Sequence, residues 1–482
     1  MQRSSVMLKR TLGSCLAVVA LLSLLCGQQY KALGFSLNGP HPAWQTPRIG
    51  YAIGLDWFPG YGPMNIGEEY RWNIPTLYYG FSPAFLNYFG QRGVVEVDKA
   101  VAVLNAIPSV AQLSINDYPN SSLRVNIRAS ASSLLDLKSF ALSMLLNNLG
   151  PSDSTRWVWT LRNRYTTPNT TNFFTIRRNF DPDTWQPSSF VNGELWTYTV
   201  QETYFQPTTV GGGAFILDVS STFTYPVDPV AGAGFQNAPV ASRFGTTLGG
   251  YWTSLTRDDV AALQYIYRKN NYHVEHVAPL LTTGSGGGGP YDYPGGVIIT
   301  NLTGGTNLGT GIVIDTSLRP GIEKINFQKV YSDSLLGSFL TTNVIYKDTY
   351  ITNSTLRTQT ITRALFQPDF VFDAGDLVGS DSSGVSPSAT IGTTAWLNNS
   401  AINNLGGFVG NNFGPGNITP GSIYTLNTVG QIYLNTYPIS PLDEANANLG
   451  FIWGSFDGST NEPVIYPYGA SIKELEAKVL NR

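Results

Sequence analysis

The stretch from Ser133 to Leu149 constrains this chain more than any other. Leu134, Leu135, Leu137, Phe140, Leu142, Met144, Leu145 and Leu146 would place apolar side chains on almost every side of one helix. A helix that is apolar all round must be enclosed by other elements, because no side of it is suited to water. Its one exception is a narrow polar line of Asp136, Ser139, Ser143 and Asn147, at spacings of three and four. The pattern predicts a central, buried helix over 133–149, capped by Ser133 with Asp136 three residues on. Enclosing such a helix takes a large apolar shell, and the chain can supply one. It has 482 residues, of which 42% are hydrophobic, including 10 Trp, 26 Tyr and 24 Phe. Charged residues make up 13%, about half the usual quarter. The 50 glycines and 29 prolines mark many turns, but the hydrophobic content argues against a disordered chain. With a net charge of −3 and no long run of one sign, binding to nucleic acid through phosphate neutralisation is excluded as an expectation.

The first 34 residues read as a targeting segment. Arg3, Lys9 and Arg10 precede an apolar run from Leu12 to Cys26, and Ala32-Leu33-Gly34 follows as a small-residue cleavage pattern. The run is about 15 residues, short of the roughly 20 a membrane helix needs. No later segment is apolar enough to span, so no membrane span is expected in the mature chain. Cleavage after Gly34 would remove both cysteines, Cys15 and Cys26. That excludes disulfides, thiolate zinc sites, iron–sulfur clusters and cysteine nucleophiles together. It would also leave 25 basic residues against 32 acidic ones. A large secreted chain without cysteine points to a bacterial protein that is extracellular or held at the cell surface.

The remainder divides at a Gly-rich linker, 283–296. Before it, 35–282 reads as an α+β domain with about three helices on a small sheet. Leu77 to Phe81 is a short strand, followed by a helix from Gly93 to Pro108 with Val94, Val97, Val101 and Leu104 on one face. Another helix begins at Thr256 with Asp258 and Asp259 in its first turn, where they favour the macrodipole. Strands are expected at 157–161, 173–178 and 195–205. After the linker, 297–482 reads as a mainly β domain, with strands at 312–315, 324–330, 339–351 and 357–365. Thr352-Asn-Ser-Thr355 supplies a hairpin turn. Residues 379–422 read as polar loops. A short helix over 471–480, with a Ser471/Glu474 capping box, closes the chain.

Candidate chemistry is sparse. Beyond the leader the only histidines are His41, His273 and His276. His273-Val-Glu-His276 offers His273, Glu275 and His276 as metal candidates, two imidazoles and a carboxylate being a zinc donor set. It follows directly on a helix end, where surface histidines need no ligand role. No G-x-S-x-G elbow is present, and Gly379-Ser-Asp-Ser-Ser-Gly384 reads as a turn. Paired carboxylates for glycoside hydrolysis are offered by Glu68-Glu69, Asp181 with Asp183, and Asp373 with Asp376. Asp258-Asp259 is better explained by helix capping. Asp457 to Glu462 is oxygen-rich, a calcium candidate through Asp457 and Glu462 without the ligand order of an EF-hand. Calcium is the one cofactor left open. Abundant Trp and Tyr would suit sugar stacking, although most aromatics belong in the core.

Ile74-Pro-Thr-Leu-Tyr-Tyr-Gly-Phe81 with the helix after it resembles the strand-then-helix opening of matrixin-type metzincin peptidases. Leu255-Thr-Arg-Asp-Asp-Val-Ala-Ala-Leu-Gln-Tyr-Ile-Tyr267 similarly resembles their closing helix. The resemblance implies a central helix carrying His-Glu-x-x-His-x-x-Gly-x-x-His. With Leu149-Gly150 at the glycine position, Ser143, Met144, Asn147 and Asp153 occupy the ligand and general-base positions. Only Asp153 could hold a metal, and no methionine follows to form a Met-turn. The expectation is therefore a degenerate, zinc-ligand-less metzincin-type domain joined to a β-rich domain. Its expected role is non-catalytic, as a surface, matrix or interaction protein. Self-association or binding to extracellular polymers would supply its partners. The alternatives are a secreted hydrolase (a metallopeptidase with unusual ligands, or a glycosidase) and a glycan-binding protein.

Overall fold

The protein is described by a computed structural model. The described residues are 32–40, 61–63, 65–204, 218–228, 240–243, 246–275, 277, 298–299, 314, 317–333, 338–339, 342–365, 368–374, 396–398, 416–418, 422–425 and 452–466. Both cysteines, His41, His276, the linker, Asp376, the 379–384 turn and the 471–480 helix lie outside them. Among the described residues helices and strands are mixed, with every helix lying before residue 268. The described residues from Leu33 onward belong to one compact unit.

The first long helix, α1, runs Pro83–Asn105. It starts earlier than the periodicity alone indicates. Ser82 caps it by accepting the Phe85 N–H at 3.1 Å, and Pro83 takes the first position, where a missing N–H costs nothing. Gly90, at φ +61°, interrupts the helical path. Past it, Val94, Val97, Val101 and Leu104 are buried, as the spacing predicts. The central helix, α2, spans Leu137–Asn148 and is buried at every residue but Lys138. Its start corrects the expected Ser133 cap. Leu134–Asp136 is a strand, paired in parallel with Ile452–Ser455, and Asp136 is the cap, accepting Ser139 N–H at 2.9 Å. Ser133 sits at φ +56° in the turn before it. The third helix, α3, covers Arg257–Tyr267 with a Thr256/Asp259 capping box.

A four-stranded parallel sheet lies against α1. Its order is Asn326–Lys329, Thr76–Phe81, Phe370–Asp373, Ser422–Thr425. Parallel strands need cover on both faces, and the sheet's Leu77, Phe81, Phe370 and Phe372 are all buried. Phe81 and Phe85 bring sheet and helix together, their ring centroids 4.8 Å apart.

This sheet corrects the expected division at 283–296. The Thr76–Phe81 strand has neighbours on both edges that come from beyond the linker. Trp453, also from beyond it, packs edge-on against Phe140 of α2 at 4.8 Å. Phe327, Phe370, Phe372, Trp453 and Tyr466 share one core with the residues of α1 and α2. The two halves are therefore not separate cores.

The described structure also has three long antiparallel strand pairs, the last of them inside a five-stranded sheet. Thr160–Thr167 pairs with Thr170–Ile176, Glu194–Tyr204 with Asp218–Pro226, and Thr342–Thr352 with Thr355–Leu365. The last turns at Asn353-Ser354, φ +47° and +58°, the left-handed pair that a two-residue hairpin turn requires. Trp157 is not in a strand; it ends a short helix, Ser154–Trp157, capped by Asp153. Among the described residues no helix is long and apolar enough to cross a membrane.

Candidate functional site

Of the positions singled out in the sequence, Ser143, Met144 and Asn147 lie on α2 and are buried, and Asp153 is half-buried. The chain leaves the helix through Gly150, at φ +111°, a conformation suited to glycine. A Cβ there would come within 2.8 Å of the Tyr70 carbonyl and of Ile266 Cδ1. Asn147 directs its amide to the Ser143 carbonyl at 3.0 Å and to the Ser242 carbonyl. Asn38, from the Ser36–Pro40 strand, donates to the Asn147 carbonyl at 3.1 Å and to the Pro151 carbonyl at 2.8 Å. Asp153 accepts from Thr155 N–H and Oγ1 and from Arg156 N–H, as a helix cap does. Asn147 and Asp153 are thus engaged with backbone, and Met144 is wholly apolar core.

The closing-helix acids also serve the fold. Asp258 accepts the Gly34 and Asn192 N–H groups at 3.0 and 2.8 Å, and Asp259 those of Ala241, Ser242 and Thr256. Burial pushes the Asp258 carboxyl up to about 7, with those backbone donors opposing it. Burial likewise raises Asp259. Asp136 is pushed up to about 7 by burial, against its bonds from Ser139.

A second polar centre gathers His273 and Glu275. These belong to the strand His273–Glu275, where alternation turns residues 273 and 275 to one face. Glu69 and Arg71 approach from the segment leading into and forming the strand Tyr70–Arg71. His273 Nε2 lies 3.2 Å from Glu69 Oε1, and its Nδ1 lies 3.4 Å from Glu275 Oε1. Arg71 donates to Glu275 Oε1 at 2.8 Å, to the Asn271 carbonyl at 2.7 Å and to the Arg319 carbonyl at 2.9 Å. Burial acts to raise both glutamates. His273 at Glu69, and the Arg71 guanidinium followed by His273 at Glu275, more than offset it and hold both below the usual range.

The charges continue outward along the same sheet. Arg319 forms a two-pronged pair with Asp348, at 2.8 and 3.0 Å, while Gln359 donates to Asp348 at 2.7 Å. Arg363 pairs with Asp369, which also accepts the Tyr78 N–H at 2.8 Å. Every one of these charged side chains is buried. Buried ions persist only when paired and hydrogen-bonded; each charge in this row has an opposite partner, although Glu275 Oε2, Arg363 Nε and His273 Nδ1 make no hydrogen bond among the described residues. Its pairs join segments distant in sequence, Arg71 to Glu275 and Glu69 to His273, and so fasten them together.

The structure therefore brings His273 and Glu275 together but in a closed ion cluster. Sequence reasoning named Glu69 only as half of an acidic pair and missed Arg71, Arg319, Asp348, Arg363 and Asp369. Glu68 is bonded locally, to Asn65 N–H at 3.3 Å. Among the described residues no three His, Cys, Asp or Glu side chains are arranged as metal ligands. Asp457 and Glu462 lie in an exposed bend. Asp457 accepts Ser459 N–H at 2.9 Å, and bonds from Ser459 lower its carboxyl. Asp181 closes a local turn, accepting from Asp183 and Thr184. Asp373 accepts from Ser82 Oγ. No family model, no curated protein and no solved structure matches this chain.

Proposed function

We propose that this chain is a secreted, non-catalytic bacterial surface or matrix protein whose N-terminal half is a degenerate metzincin-type domain. The observation that carries the reading is the use made of Asn147 and Asp153. Asn147 and Asp153, two of the polar groups on α2 and just after it, are spent on hydrogen bonds to backbone, while the buried Ser143 Oγ makes no hydrogen bond among the described residues. The general-base position is the fully buried thioether of Met144. A peptidase needs a carboxylate or imidazole there to move a proton, and a thioether cannot do so. Low charge density and abundant Asn, Ser and Thr suit contacts with copies of itself or with extracellular polymers. The test is hydrolysis of quenched fluorescent peptide libraries and denatured casein, with and without added zinc. Turnover that a chelator abolishes would refute the reading.

A glycan-binding role draws on a separate observation. Tyr165, Phe174, Trp185 and Phe223 are exposed, with Trp185 held in the left-handed backbone region at φ +58° and covered on one side by Arg268 at 4.4 Å. Retention on a panel of immobilised polysaccharides, lost on Trp185→Ala, would favour it.

A further inference from the structure

The segment after the leader is built into the core from its first residues. Leu33 is 2% exposed, and its carbonyl accepts Ser188 Oγ at 2.7 Å. The Gly34 N–H donates to the buried Asp258, and a Cβ at Gly34 would collide with the Phe190 carbonyl. Phe35 is fully buried, exchanges both backbone hydrogen bonds with Phe180 at 3.1 and 2.8 Å, and stacks on Tyr265 at 5.4 Å. Ser36 and Leu37 pair with Ser152 and Pro151, next to the end of α2. Ala32 is the last residue before this anchored run, and it is partly exposed.

A cut after Gly34, where the small-residue pattern placed it, conflicts with these contacts. Hydrolysis there would put a charged ammonium on Phe35, enclosed and facing only the Phe180 carbonyl. It would also remove the Leu33 side chain from the core and take from Asp258 one of its two backbone donors. Burying an unpaired charge is among the costliest changes a fold can suffer. A cut on the N-terminal side of Leu33 keeps the Leu33 side chain in the core and both backbone donors on Asp258, and a cut upstream of the partly exposed Ala32 also keeps the new ammonium off the buried Leu33.

We propose that processing removes the leader on the N-terminal side of Leu33, at the Ala32–Leu33 bond or upstream where Gly27 is the next small residue. Residues 33–40 are then the first structural segment of the mature chain. The step is peptide hydrolysis by a leader peptidase of the export machinery. Water adds across the bond, leaving a carboxylate on the leader and an ammonium at the new terminus. The inference rests on the secretion reading, and two experiments separate their failures.

N-terminal sequencing and intact mass of protein recovered from the medium of a secreting host should give a terminus at Leu33 or within the five residues before it. A terminus at Phe35 or later overturns the inference while leaving secretion intact. An uncut chain retained in cells overturns both. Independently of export, chains expressed from Leu33 and from Phe35 behind a removable tag are compared by thermal melting. The chain from Leu33 should melt several degrees higher. Equal melting temperatures overturn the inference whatever the outcome of secretion.

Discussion

Replacing Arg71 by Met tests the buried ion cluster where it is most connected. Arg71 is wholly enclosed and makes three bonds, to the Glu275 carboxylate and to the Asn271 and Arg319 carbonyls. Met approximates its volume but supplies no donor and no charge. Glu275 Oε2 already has no hydrogen-bond partner, so removing the guanidinium leaves that carboxylate with only the out-of-line His273 beside it. Breaking a buried pair by deleting one partner costs about 3–5 kcal/mol. At about 2.1 cal/mol/K of unfolding entropy per residue, a unit of this length shifts by roughly 1 °C per kcal/mol, so the melting temperature should fall by about 3–5 °C. The pH dependence fixes the cause. In the wild type, Glu275 is held below its usual range, so it contributes stability above the unfolded value of about 4.5 that is lost as pH falls. Without Arg71 the strongest influence opposing burial is gone and only His273 remains against it, so acidification costs the variant less than the wild type. The deficit should therefore shrink between pH 8 and pH 4. Scanning calorimetry of both proteins across that range provides the check. A variant melting within 2 °C of wild type, or a deficit that does not change with pH, would refute the argument.

Three further outcomes are expected. Asp136 and Asp258, pushed up to about 7 from unfolded values near 3.8, each cost stability above pH 7, and that cost disappears as pH falls toward 4. The wild type should melt higher at pH 5.5 than at pH 8.5, and Asp136→Asn, which keeps a capping oxygen, should flatten part of that slope. A steady decline on acidification would contradict this. Gly150→Ala sets a Cβ against the Tyr70 carbonyl at a positive φ, and should lower stability by about 2–4 kcal/mol, read as a reduced denaturant midpoint. Limited proteolysis should cut first within the Gly-rich 283–296 stretch, yet the nicked protein should elute as one particle, because strands from both sides share a sheet. Separate elution of the two fragments would show that those pairings do not hold them.

Local structure was largely legible in the sequence. The buried helix followed from Leu and Phe on every side of 137–148, the closing helix from Thr256 and its acids, and the longest hairpin from Asn353-Ser354. Each depends on neighbours within a few residues. What the sequence did not display was pairing at long range. Leu134–Asp136 reads as helix because its neighbours are helical, and only the Ile452–Ser455 strand makes it a strand. The linker composition suggested two domains because nothing local reveals that Asn326–Lys329 and Phe370–Asp373 flank Thr76–Phe81. The ion row was hidden for the same reason. The alternations Glu69-Tyr-Arg71 and His273-Val-Glu275 each mark charges turned to one face of a strand. Their convergence depends on segments about 200 residues apart in the chain. With so few charges in the molecule, an alternating charged pair in an apolar strand was the available signal.

The central claim is that α2 carries a structural polar line and no metal centre. Elemental analysis of protein purified without chelator, at known concentration by amino-acid analysis, tests it directly. The account predicts zinc well below one equivalent per chain, unchanged after dialysis against micromolar zinc. One tightly held zinc per chain, lost on Asp153→Asn or on His273→Gln, would contradict it.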